Sequence, residues 1–243
     1  MTLLLLVMSL ALRGPLAGAS PMQKPCHGFC QDAQWAAARN KMVDGQIRDR
    51  GIRDAKVLDT MRAVERHLFI DSDFVPHAYE DRPLPIGFGQ TISQPYIVAF
   101  MTEAARPNGN KVALEIGTGS GYQAAVLSKL VKHVHTIEIV EPLYSKAKQR
   151  LARLGYKNVT VHQGDGFYGL KKFAPFDIIL VTAAARTIPP PLKEQLKVGG
   201  VMVIPVGEEA WVQSLYVVEK KSERDFKIKD VMPVAFVPLT GRH

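Results

Sequence analysis

The spacing of apolar residues changes partway along the chain. Up to about residue 110, Trp35, Met42, Ile47, Val57, Leu58, Met61 and Val64 recur at roughly helical intervals, which predicts helix over residues 32–69. Gly51-Ile52-Arg53-Asp54 interrupts this pattern, and Asp54 is placed to cap a second helix running to Val64. Pro76, Pro83, Pro85, Gly87 and Gly89 then predict a loop over residues 75–90, a length that usually serves function in a compact domain. A third helix is expected from Pro95, a residue suited to a first helical turn, to Ala105.

From Lys111 onward, short apolar runs alternate with helical patterns. Strands are predicted over 112–116, 133–139, 158–162, 176–182 and 201–206, with helices over 122–131, 142–154 and 189–196. Two last strands, 212–219 and 226–238, flank the polar turn Lys220-Lys221-Ser222-Glu223-Arg224-Asp225. The alternation implies an α/β fold with a mostly parallel central sheet and right-handed crossovers, and the closing pair implies an antiparallel edge. The expected organisation is a variable extension over residues 1–39 and one domain over 40–243. Within that domain, 40–110 hold the helices and the loop and 111–243 hold the α/β core.

Composition adds little to this but excludes some classes. With 243 residues, 47% hydrophobic and 22% charged, the chain buries a full core and is not disordered over most of its length. The formal net charge is +8. The Lys and Arg residues are scattered and no aromatics interleave with them, which argues against nucleic acid as a partner. The seven His are dispersed in the sequence and the two thiols, Cys26 and Cys30, are too few for a structural zinc site, so no metal is expected. The Cys pair reads either as a local disulfide or as two free thiols. Residues 3–12 are almost wholly apolar and Ala17-Gly18-Ala19 follows, a pattern like an exported signal segment but without a basic residue ahead of it. That run is too short to span a bilayer, so no stable membrane insertion is expected.

The chemistry concentrates on the turn after the first parallel strand, Glu115-Ile116-Gly117-Thr118-Gly119-Ser120-Gly121. In open parallel sheets ligands bind beyond the C-terminal strand ends, and three glycines let a ligand approach the backbone. The G-x-G-x-G spacing differs from the G-x-G-x-x-G of dinucleotide folds, and Glu115 beside it suits a cationic ligand better than a pyrophosphate. S-adenosylmethionine carries a sulfonium and an ammonium group. Glu138, ending the second strand, offers two oxygens to a ribose, and Asp165 between Gly164 and Gly166 can accept from an adenine amine. An Asp-Gly turn with no ligand accounts for Asp165 equally well.

A longer resemblance narrows this. The run from Asp81 to Tyr96, with Gly89-Gln90-Thr91-Ile92-Ser93-Gln94-Pro95 at its centre, resembles the signature loop of protein-L-isoaspartate O-methyltransferases. Met42-Val43, Gln46-Ile47, Gly51-Ile52, the turn from Leu114 to Gln123, Pro175-Phe176-Asp177, Thr182-Ala183-Ala184, Pro205-Val206-Gly207 and Phe236-Val237-Pro238-Leu239 also fit bacterial members. Arg186 departs from the pattern, since bacterial relatives often have prolines there, and residues 1–39 match nothing in the family core. The resemblance implies a Rossmann-like S-adenosylmethionine-dependent methyltransferase fold with an added N-terminal helical segment. It also implies methyl esterification of the free α-carboxylate of L-isoaspartyl residues in damaged proteins. It assigns Ser93 as the catalytic residue. Gln90, Thr91, Ile92, Glu115, Gly117, Thr118, Gly119, Ser120, Gly121, Glu138, Ile139, Asp165, Gly166 and Thr240 are expected to contact S-adenosyl-L-methionine, and Thr91, Ile92, Ser93, Val237 and Pro238 the isoaspartyl peptide. The family further implies a cytoplasmic monomer, against the export suggested by the N-terminal run.

Ser93 has a competing structural role, because it lies two residues before Pro95 and could cap that helix. Two rival functions are also open: methylation of another small molecule or RNA, and a non-enzymatic module that holds damaged protein.

Overall fold

The computed structural model describes residues 27–207 and 213–241. The apolar run at 3–12, the small residues at 17–19 and Cys26 lie outside the described residues, as does the side chain of Cys30.

Helix α1 (His27–Lys41) continues into a π-helical turn (Met42–Arg48) that buries Met42, Val43 and Ile47. Trp35 on α1 stacks on His67 at 4.9 Å. Helix α2 (Ala55–Ala63) starts where Asp54 predicts it, with the Asp54 carboxylate accepting from the Lys56 and Val57 N–H groups at 2.8 and 3.2 Å. It ends at Ala63, a residue before the expected Val64; a 3-10 turn over Arg66–Phe69 takes the end of the expected helical stretch, and another forms beyond it over Ser72–His77. The segment expected as a loop is partly a hairpin, β1 (Leu84–Gly87) pairing antiparallel with β2 (Gln90–Ile92). Leu84, Ile86 and Ile92 are buried, so alternate side chains of the hairpin enter the core despite its prolines and glycines. Helix α3 (Pro95–Ala104) follows, with Gln94 at the capping position and no side-chain cap. Ser93 therefore does not cap this helix. Asp81 organises the helix start instead, accepting from the Tyr96 N–H at 3.1 Å and the Gln94 amide at 2.8 Å while paired with Arg50.

The main sheet has seven strands: β3 (Val112–Ile116), β4 (His133–Glu138), β5 (Val159–Gln163), β6 (Phe176–Val181), β7 (Leu196–Val206), β8 (Gln213–Lys220) and β9 (Phe226–Val234). Their order is β5-β4-β3-β6-β7-β8-β9. The first five are parallel and the last two add an antiparallel edge, as the sequence pattern predicts. Strand order reverses at β3, which has β4 on one side and β6 on the other. That switch point opens a crevice beyond the strand ends. Helices α4 (Tyr122–Ser128), α5 (Glu141–Arg153) and α6 (Pro190–Gln195) complete the layers. Ala113, Ala124, Leu127, Val134 and Ile178 pack on one face, and Leu114, Ile116, Ile137, Ile179 and Leu192 on the other. A further core joins the N-terminal helices to Tyr122, Val126 and Leu151.

Several boundaries differ from expectation. Strand β7 begins at Leu196 rather than 201, because the chain pairs through an irregularity that includes Gly199 at φ +82°. Strand β9 ends at Val234 rather than 238. Beyond it the chain turns across the strand ends, where Ala184 N–H donates to Val237 O and Phe236 N–H donates to the Gln213 side chain. The His residues are not all dispersed: His133, His135 and His162 come together on β4 and β5, with His135 stacked on Phe173 at 4.4 Å. Their separation in sequence hid a contact made by parallel strand pairing. Among the described residues no group of three potential ligands could hold a metal, and no helix is long and apolar enough to cross a membrane.

Candidate active site

The glycine turn leaves the C-terminal end of β3 and enters α4. The Gly117 and Thr118 N–H groups donate to Ile137 O, so the turn is pinned to β4. Gly117 has φ +92°, and a Cβ there would lie 2.6 Å from Thr182 Oγ1. A Cβ on Gly119 would press on Ile86 of the hairpin at 3.3 Å. The β1–β2 hairpin therefore sits directly on the turn, which brings two segments distant in sequence to one site.

Glu138 reaches the turn from the end of β4. Its two oxygens accept from the Gly119 and Val140 N–H groups at 2.8 and 2.9 Å, and each retains lone pairs for a further donor. Glu115 points into the protein below the turn and is fully buried. It accepts from Thr136 Oγ1 at 2.6 Å, which in turn meets Thr118 Oγ1 at 2.7 Å. Burial pushes the Glu115 carboxyl up to about 8, against the smaller opposing effect of the Thr136 hydrogen bond. Asp165 caps a 3-10 turn by accepting from the Phe167 N–H at 2.9 Å. Gly166 is packed so tightly on Ile116 that a Cβ would lie 2.3 Å away.

Three cavities meet here. The first runs over the turn and is lined by Gln90, Thr91, Gly117, Gly119, Glu138, Ile139, Gly166, Val237, Pro238 and Thr240. The second lies between the turn and the hairpin and brings Ile92, Ser93, Glu115, Thr118 and Ser120 together with Thr91 and Gly117. The third is a groove of about 390 Å³ that opens from Ser93 between Pro83, Ile97 and the 233–237 segment. No Lys or Arg lines the first two. That donor set fits a cationic nucleoside cofactor, with a carboxylate for ribose hydroxyls and glycines for close approach, and does not fit a pyrophosphate. Of the residues expected to contact cofactor, Gly121 and Asp165 line none of these cavities. Gly121, at φ +87°, begins α4 and packs on Leu151.

This geometry agrees with what the chain resembles. Residues 37–243 match the family model of protein-L-isoaspartate(D-aspartate) O-methyltransferase. The chain belongs to that family. It is 57% identical over 189 residues to protein-L-isoaspartate O-methyltransferase 2 of Polaromonas sp., covering 78% of this chain and 90% of the relative. It is 47% identical to the Syntrophobacter fumaroxidans protein of the same name, an alignment that covers 99% of this chain and 96% of the relative. That relative therefore has a counterpart for nearly the whole N-terminal extension, which the family model leaves out. A solved protein-L-isoaspartate O-methyltransferase superposes with TM-score 0.76 at 28% identity, covering 84% of this chain and 66% of its own. A Plasmodium falciparum beta-aspartate methyltransferase, solved in complex with S-adenosyl-L-homocysteine, gives TM-score 0.71 at 26% identity, covering 83% and 98%.

Residues outside the signature loop also shape this site, and some of them were not singled out by the sequence. Thr182 lines all three cavities, and its hydroxyl lies 3.0 Å from Ile116 O and 2.7 Å from Gly117 O. A signal for it existed, because Thr182 is a polar residue closing an otherwise apolar strand beside the glycine turn. Ile97 gave none, since an apolar residue in a groove reads as core, whereas Pro83 and Phe236 fall in runs that carry the family resemblance without being singled out as site residues.

Proposed function

We propose that this chain transfers a methyl group from S-adenosylmethionine to the free α-carboxylate of L-isoaspartyl residues in damaged proteins, with Ser93 orienting the acceptor. The observation that carries this reading is the position of Ser93. It lies on the wall between the cavity at the glycine turn and the open groove, and it is not used as a helix cap.

When bound, the cofactor supplies a methyl group on a sulfonium. The protein then has to do little chemistry. Gly117 and Gly119 would admit the ligand to the backbone, Glu138 would take ribose hydroxyls, and Gly166, in the loop that Asp165 caps, would lie beside the base. The acceptor has an ordinary carboxylate pKa of roughly 3–4, so it is ionised at neutral pH and needs no general base. The pocket accordingly offers the hydroxyls of Ser93, Thr91 and Thr182 and no His or Cys. Ser93 would donate to one oxygen of the acceptor carboxylate and leave the other free toward the cofactor cavity, so the gain is proximity and alignment. Gln90, Ile92, Val237, Pro238 and Thr240 enclose the reacting groups and limit water. The ester product then closes to a succinimide, as the neighbouring backbone nitrogen displaces methanol, and water opens the ring without the enzyme.

The same reading takes residues 40–243 as one methyltransferase domain, and a monomer in the cytoplasm, where its cofactor is made, is favoured over export. The test uses labelled S-adenosylmethionine with an isoaspartyl peptide and its aspartyl twin. Only the isoaspartyl peptide should be labelled. Ser93→Ala should keep cofactor affinity and lose about 10- to 150-fold in transfer, since a hydrogen bond to a charged group contributes about 1.5–3 kcal/mol. Equal labelling of both peptides, or unchanged transfer in Ser93→Ala, overturns the reading.

A further inference from the structure

The chain has four asparagines, and only Asn108 is followed by glycine. That dipeptide is the one most prone to form the damage this family acts on. The Gly109 nitrogen can attack Asn108 Cγ because no Cβ hinders its approach. Asp44-Gly45 and Asp165-Gly166 are the only other Asp-Gly or Asn-Gly pairs. Gly45 is locked in the π-helical turn, and Gly166 is wedged against Ile116. By contrast, Asn108, Gly109 and Asn110 are all exposed, and nothing lies within 4 Å of where a Gly109 Cβ would be. The Gly109 N–H has no partner among the described residues. Among the described residues the turn is closed by Asn110 N–H donating to Asn108 Oδ1 and Lys111 N–H donating to Asn108 O, both at 3.1 Å, and by the Lys111 ammonium donating to Arg106 O at 2.6 Å, none of which engages the Gly109 N–H.

The fold also places this turn away from the active site of its own chain. Helix α3 starts beside Ser93 and runs ten residues toward the turn, about 15 Å at helical rise. Strand β3 leaves the turn and runs five residues to Gly117, about 16 Å at strand rise. Both elements that join the turn to the site thus hold it at the opposite end of the sheet.

We propose that Asn108–Gly109 is a self-damage site of this protein, and that the isoaspartate formed there is methylated by a second copy of the chain. This rests on the proposed function. In the first step the Gly109 N to Asn108 Cγ bond forms and the Cγ–Nδ2 bond breaks. Ammonia leaves, taking the Gly109 proton, and a succinimide remains. Water then opens the ring at the α-carbonyl, which leaves a free α-carboxylate and a backbone running through Cγ. A second copy's Ser93 pocket takes that carboxylate, and the ester loses methanol as the succinimide re-forms. The exposed turn can enter the groove of another copy because no tertiary contact of either central residue has to be broken.

The experiment ages the full chain at 37 °C and neutral pH, maps isoaspartate by fragmentation mass spectrometry, and then adds labelled S-adenosylmethionine. Aged wild type should carry isoaspartate at position 108 and take up several-fold more label than fresh protein. Aged Asn108→Gln should stay at the fresh level. Aged Ser93→Ala should be labelled when fresh wild type is added, and far less alone. Absence of isoaspartate at 108, or equal label in aged Asn108→Gln, overturns the proposal. Aged Ser93→Ala left unlabelled in the presence of fresh wild type overturns transfer between copies. A synthetic isoaspartyl peptide run in parallel separates this from failure of the functional reading, which shows as no label on that peptide.

Discussion

Replacing Glu115 with glutamine should change how stability depends on pH. In the folded chain Glu115 is fully buried, one oxygen takes the Thr136 hydroxyl, and the other has no partner among the described residues. No basic side chain lines the cavity beside it, so ionising it is costly and its pKa rises from an ordinary 4.5 to about 8. Between those values the folded protein holds a proton that the unfolded chain has released. Stability therefore falls as pH rises, by about 1.4 kcal/mol per pH unit. From pH 5 to 7 the site costs the cofactor-free protein about 2.5 kcal/mol. Glu115→Gln keeps the shape, and its amide oxygen can still accept from Thr136, but it does not titrate. Urea unfolding of both proteins at pH 5, 6, 7 and 8 isolates the effect, because every other titrating group cancels in the difference. The variant should gain on wild type steadily with pH. Saturating S-adenosylmethionine should flatten the wild-type slope, since a cation near the carboxyl favours its ionised form. Parallel stability profiles for the two proteins would refute the argument that Glu115 is protonated in the fold.

Other outcomes follow from single contacts. Gly117→Ala forces a side chain into φ +92° and against Thr182, so cofactor affinity measured by calorimetry should drop at least about tenfold, the equivalent of about 1.4 kcal/mol. Asp81→Asn removes the charge that holds Gln94, Tyr96 and Arg50 at the start of α3, and should cost about 1.5–3 kcal/mol in unfolding experiments. Because that segment follows Ser93, Asp81→Asn should also lower methyl transfer more than cofactor affinity. Asp54→Ala removes the cap of α2 and should lower stability by about 1 kcal/mol with transfer unchanged, read by thermal unfolding and labelling.

Local pattern alone determined much of this protein. The alternation after Lys111 predicts four of the five parallel strands within a residue or two, because each is a short run bounded by turn residues; β7 starts five residues earlier than expected, where its pairing is irregular. Asp54 and Pro95 mark their helix starts for equally local reasons, a side-chain cap and a preset φ. The glycine turn and Glu138 are legible because they occupy fixed places at strand ends. Long-range packing decided the rest. The hairpin at 84–92 looked like a loop because Pro85, Gly87 and Gly89 are poor strand formers, yet burial of Leu84, Ile86 and Ile92 outweighs that propensity. Burial, helped by the nearby Glu138 carboxylate, raises the Glu115 pKa, and no spacing in the sequence reveals it. The meeting of Thr182 with Gly117, the clustering of three dispersed histidines and the return of the 235–240 segment over the site all depend on which strands become neighbours. Sequence therefore established which groups are available for chemistry. The tertiary structure decided which of them face one another, because that depends on strand order and on the face each side chain presents.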